Sequence, residues 1–116
     1  MEIMDKKFIQ FGKLSKEEYA KLKKEHGTVY TLEVYFEDKN GEIVQLFGYL
    51  KKPERNVVSM ALSFKDSDPL RAKEIMLEKS WLAGDDRIKT DDDAFYTASS
   101  VLDSLLVVRF ASLKKN

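Results

Sequence analysis

An α+β fold is the class this sequence predicts: a small antiparallel sheet from the first half of the chain, packed on three helices from the second, with one short helix near the N-terminus. Three observations predict it. Tyr30, Leu32, Val34 and Phe36 alternate with Thr31, Glu33, Tyr35 and Glu37, the period of a half-buried strand. Asp38-Lys39-Asn40-Gly41, whose Asn-Gly pair is suited to positive φ, then turns the chain into a second strand-like run. From residue 53 onward the apolar positions recur every three or four residues, as on one face of a helix.

The elements follow in chain order. A lone hairpin is marginal in water, so a third strand is expected, and KKFIQFG (6–12) is the best candidate for it. The alternative is that residues 1–14 form a flexible lead-in. Ser15-Lys16-Glu17-Glu18 fits a capping box, and the helix it opens runs to about His26 and stops at Gly27, with Leu14, Tyr19 and Leu22 inward. The second hairpin strand, Glu42 to Leu50, is apolar on both sides, with Val44, Leu46 and Leu50 on one and Ile43, Phe47 and Tyr49 on the other. It therefore reads as the central strand. Pro53 suits the first turn of a helix carrying Val57, Met60, Ala61 and Phe64 on one stripe. Asp68 as N-cap and Pro69 as the first residue open the next helix, which is expected to reach about Leu82 and to bury Leu70, Ala72, Ile75, Met76 and Trp81 before Gly84 closes it. A last helix is expected from near Asp91 to about Leu113. Its stripe of Ala94, Phe95, Ala98, Val101, Leu102, Leu105, Leu106, Val108 and Phe110 is wider than one partner helix requires.

Composition narrows the function. At 116 residues the chain is the size of one domain, spanning 1–116. Twenty Lys and Arg balance twenty Asp and Glu, so the basic surplus of a nucleic-acid binder is missing and copies of the chain do not repel one another. There is no cysteine, hence no disulfide, thiolate nucleophile or cysteine zinc site. Apolar runs are a few residues long, which argues against a membrane span, and MEIMDKKFIQ lacks a signal-peptide core. A cytoplasmic protein is the expectation.

The chemistry-bearing residues are few. Asp85, Asp86, Asp91, Asp92 and Asp93 crowd into one short stretch, and a metal-binding protein built on Asp85–Asp93 is one alternative. A calcium loop of the EF-hand type needs oxygen ligands at its third and fifth positions and Gly at its sixth. Counted from Asp85 those first two are Arg87 and Lys89; counted from Asp91 the sixth is Tyr96. The preferred reading is structural: Thr90 caps the last helix, Asp91–Asp93 sit at its positive end, and Asp85-Asp86 lie in the preceding turn. His26 is the sole histidine, which excludes multi-histidine metal sites, and no G-x-S-x-G, P-loop or dinucleotide glycine motif is present. No catalytic, cofactor-binding or metal-ligating residue is therefore assigned. What remains is the aromatic hairpin. One of its faces must meet the helices; the other, with Tyr35, Phe47 and Tyr49, is a candidate interface for a second copy or a partner.

Three stretches carry a family resemblance: YLKKPERNVVSMA (49–61), WLAGDDRIKTDDDAF (81–95) and the ending ASLKKN (111–116). In this order they resemble the small tail assembly chaperones of long-tailed bacteriophages and prophages, over residues 28–116. The resemblance implies a non-enzymatic protein that binds the tape measure protein during tail morphogenesis and leaves before the particle is finished. It carries no catalytic residues with it. It also implies ribosomal slippage near the end of the gene, to which the codons of Lys114-Lys115-Asn116 would be suited. A small interaction or regulatory module unrelated to tails is the other alternative.

Overall fold

The computed structural model describes residues 8–105 and 111–115. Its framework is a four-stranded mixed sheet built around one strand. The chain enters as β1 (Ile9–Phe11), crosses one face as α1 (Lys16–His26), and returns as the hairpin β2 (Val29–Glu37) and β3 (Ile43–Lys51). It then runs through α2 (Arg55–Leu62) and α3 (Pro69–Ser80) into β4 (Trp81–Gly84). The short α4 (Arg87–Thr90) and α5 (Asp92–Ser99) follow, and then a 3₁₀ turn over Leu102–Leu105.

β3 is the central strand, as its two apolar faces predict. Along one edge it pairs antiparallel with β2 from Val29↔Lys51 to Glu37↔Ile43. Along the other edge two short strands share its length: β1 runs parallel beside Val44–Leu46, and β4 antiparallel beside Gly48–Leu50. The third strand is thus where KKFIQFG places it, but it is parallel to β3, so the sheet is mixed and not purely antiparallel. The reason is topological. α1 delivers the chain to the opposite edge of β3 beside its last residue, Lys51, so β2 starts there and runs back antiparallel, whereas β1 runs with β3. At the hairpin turn the Asp38 carboxylate accepts from the amides of Asn40 (2.9 Å) and Glu42 (3.0 Å), and Gly41, not Asn40, takes positive φ.

The two faces of the sheet are covered differently. Leu32, Val34, Val44, Leu46 and Leu50 form the main core with Val57, Ala61, Ile75, Leu77, Ile88, Ala94 and Ala98 from α2 to α5. The opposite face holds Val29, Phe47 and Tyr49 under Leu14, Tyr19 and Leu22 of α1 and its lead-in. α1 has the capping box expected: Ser15 Oγ accepts from the Glu18 amide and Glu18 accepts from the Ser15 amide, each at 3.1 Å.

Two helical expectations are corrected. α3 begins as read, with Asp68 accepting from the Arg71 amide at 3.1 Å, but it stops at Ser80. Trp81 and Leu82 belong to β4, because the free edge of β3 at Gly48–Leu50 takes up their backbone. Gly84 therefore ends a strand and not a helix. It is required there at φ 129°, since a Cβ would lie 2.3 Å from the Phe47 carbonyl oxygen. The last helix is also shorter than its apolar stripe suggests. α5 ends at Ser99, and residues 111–115 have no regular secondary structure; Leu106, Val108 and Phe110 lie outside the described residues. The hydroxyls of Thr97, Ser99 and Ser100 donate to the carbonyls of Asp93, Tyr96 and Thr97, competing with the amides that would extend the helix. Pro53 is buried and lies ahead of α2, whose first residue is Arg55.

Candidate functional site

Three of the five aspartate side chains have structural partners, and the first of them is placed by β4. Once Asp85 donates its amide to the Phe47 carbonyl (2.9 Å), its side chain faces Arg87. Asp85 Oδ1 accepts from Arg87 N and Nε, both at 3.0 Å, and Oδ2 from Nη2 at 2.9 Å. Hydrogen bonding to Arg87 holds the Asp85 carboxyl below the usual range, and Asp85 in turn raises Arg87. Asp86 pairs with Lys89 at 3.4 Å. Asp91, not Thr90, caps α5: its Oδ1 accepts from the amides of Asp93 (3.0 Å) and Ala94 (3.1 Å). Thr90 instead ends α4 and donates to the Asp86 carbonyl. Asp92 and Asp93 lie exposed in the first turn, where the helix dipole favours them. Among the described residues, no three acidic or histidine side chains converge as a metal shell.

Arg87 joins this segment to the sheet. Its guanidinium lies 4.6 Å from the Phe11 ring centroid and 5.9 Å from that of Phe36. Beside it a cleft of about 470 Å³ runs between the hairpin turn and α4, with Asp38, Lys39, Arg87 and Asp91 as its charged lining and Phe36 at its apolar side. The register places Ile9 and Phe11 on the same face as Val44 and Leu46. Yet Val44 and Leu46 are buried while Ile9 is 56% and Phe11 38% exposed. Among the described residues, the helical layer stops at β3 and leaves the β1 margin partly exposed. Sequence reasoning did not find Arg87 as the link: nothing local pairs it with aromatics that precede it by tens of residues.

The aromatic positions read as an interface divide. Tyr35 is 45% exposed. Phe47 and Tyr49 are buried, and are corrected to core positions: the Tyr19 ring meets Tyr49 edge-on at 6.0 Å, Lys13 lies over Phe47, and the Leu14 amide donates to the Tyr49 hydroxyl. The expectation that only one face would meet helices fails because α1 covers the second. It covers only the half nearest the start of β2. Over the other half Tyr35 and Ile43 remain open, with Phe8 edge-on to Tyr35 at 5.2 Å. Between them sits a buried glutamine, Gln45. It accepts from Gln10 (2.9 Å) and donates to Glu33 (3.1 Å) and to the Tyr35 hydroxyl (3.4 Å). This network holds the open half in place without apolar cover.

No protein-family model, curated protein or solved structure matches the chain. Among the described residues, no helix is long and apolar enough to cross a membrane.

Proposed function

We propose that this chain is a non-enzymatic tail assembly chaperone, which binds the tape measure protein of a phage or prophage in the bacterial cytoplasm before the tail tube forms. The observation that carries this reading is the open β1 margin. Ile9 and Phe11 lie partly exposed on the helix-side face, beside a cleft bordered by Asp38 and Asp91 and by Lys39 and Arg87. A helical client segment suits that surface if its apolar stripe is flanked by charges of both signs: the stripe meets Ile9, Phe11 and Phe36, its cations meet Asp38 and Asp91, and its carboxylates meet Lys39. The resemblance of residues 49–61, 81–95 and 111–116 to tail chaperones supplies the identity of the client. The charge balance of the surface and the lack of a recognisable catalytic motif agree with a binding role.

Co-expression tests it. The tape measure protein from the chain's own gene neighbourhood is expected to be insoluble alone and soluble with this chain. Ile9→Lys with Phe11→Ser should abolish that rescue while leaving the circular-dichroism spectrum unchanged. A neighbourhood without tail genes, or rescue that survives the double substitution, contradicts the reading.

A further inference from the structure

The hairpin turn carries a pair of residues with chemistry of their own. Asn40 and Gly41 are both exposed, and Gly41 takes φ 78°. A Cβ at Gly41 would meet only a Glu37 carboxylate oxygen, at 3.8 Å, so little besides the chain itself crowds the peptide that joins the two residues. Asn40 uses its backbone amide to reach the Asp38 carboxylate, and among the described residues its side-chain amide has no hydrogen-bond partner. Asn56 differs: it precedes Val57, which is β-branched and buried in α2.

The folded turn holds this pair back. The Gly41 amide donates to the Asp38 carbonyl at 3.0 Å. The Asp38 carboxylate ties down the amides on either side of it, those of Asn40 (2.9 Å) and Glu42 (3.0 Å). Loss of the Gly41 amide proton costs its hydrogen bond and sets negative charge beside the carboxylates of Glu37 and Asp38. Rotation about the Asn40 backbone, which would bring the Gly41 nitrogen to the Asn40 side-chain carbonyl carbon, breaks the same bonds.

We propose that Asn40 is a deamidation site whose rate is set by opening of the turn. In the open turn the Gly41 nitrogen, its proton taken by hydroxide, attacks Asn40 Cγ. A C–N bond forms there, the side-chain nitrogen takes a proton from water and leaves as ammonia, and a cyclic imide remains. Water then adds at either imide carbonyl and breaks its bond to nitrogen, giving aspartate or isoaspartate. The new carboxylate joins Asp38 and Asp91 against Lys39 and Arg87, so a cleft lining balanced in charge becomes acidic. Isoaspartate also lengthens the backbone of the turn by a methylene. Neither change depends on what the cleft binds.

Peptide mass spectrometry tests it on the full chain, aged folded and aged in guanidinium chloride at the same mildly alkaline pH. The peptide holding Asn40 is expected to turn from amide to acid in both, with aspartyl and isoaspartyl products, but at least about tenfold more slowly in the folded chain. Asn56 should keep its amide. Asp38→Ala removes the brace, and with an unchanged circular-dichroism spectrum it should speed conversion in the folded chain and alter it little in denaturant. The wild-type comparison stands even where Asp38→Ala does not fold. An Asn40 that keeps its amide in denaturant, or converts as fast folded as unfolded, overturns the inference. So does earlier conversion at Asn56, or a folded Asp38→Ala chain no faster than the wild type.

Discussion

At the scale of single residues, the fold turns on contacts that allow little change. Trp81 lies on Gly48, where a Cβ would stand 2.8 Å from the indole Cζ3 and 3.2 Å from Ile88 Cδ1. Gly48→Ala must therefore shift a ring that Lys89 also covers at 4.6 Å. A loss of about 1–3 kcal/mol in urea unfolding is expected, the usual cost of overpacking. Ser80 gives the opposite case. Its hydroxyl is fully buried and has no partner among the described residues, so Ser80→Ala should raise stability by about 1 kcal/mol in the same assay. Asp85 sets a pH dependence. Its folded-state carboxyl titrates below the ordinary value of 3.8 because it accepts from Arg87. The resulting stabilisation is complete above the unfolded value and is lost as pH falls through the folded one. Asp85→Asn should flatten the acid limb of a plot of stability against pH, and an unchanged acid limb would show that the Asp85–Arg87 pair contributes nothing.

At the scale of elements, what the sequence disclosed depended on whether the deciding signal was local. The capping box at Ser15, the Asp68-Pro69 start and the hairpin with its central second strand each rest on neighbouring residues, and each appears where read. β4 was not legible. Trp81 and Leu82 continue a helical apolar spacing, and only the vacant edge of β3, set by residues more than thirty positions earlier in the chain, draws them into the sheet. The parallel sense of β1 and the cover of Phe47 by α1 are non-local in the same way. The early end of α5 had a local signal that the apolar stripe outweighed: the serine and threonine hydroxyls at its C-terminus. Lys73 adds to that end by donating to the Ser99 carbonyl at 3.1 Å. Replacing Ser99 and Ser100 by Ala should lengthen α5 and deepen the circular-dichroism minimum at 222 nm. Asp91→Ala should remove its N-cap and cost about 1 kcal/mol. If Asp91→Ala is neutral, the acidic stretch is not there to start a helix.

At the scale of the molecule, the central strand explains why so short a chain presents two distinct surfaces. β3 is satisfied on both edges and both faces, yet its two faces are covered at different places. On the helix side the layer ends before β1 and leaves Ile9 and Phe11 beside the Arg87 cleft. On the α1 side the helix covers one half and leaves Tyr35 and Ile43. We assign the first surface to a client. Hydrogen exchange on the chain, alone and with a tape-measure segment bound, tests that assignment most directly. Added protection from the segment is expected at β1, the hairpin turn and α4, with none at α1. Protection that falls on α1 and Tyr35, or on no element at all, would contradict it.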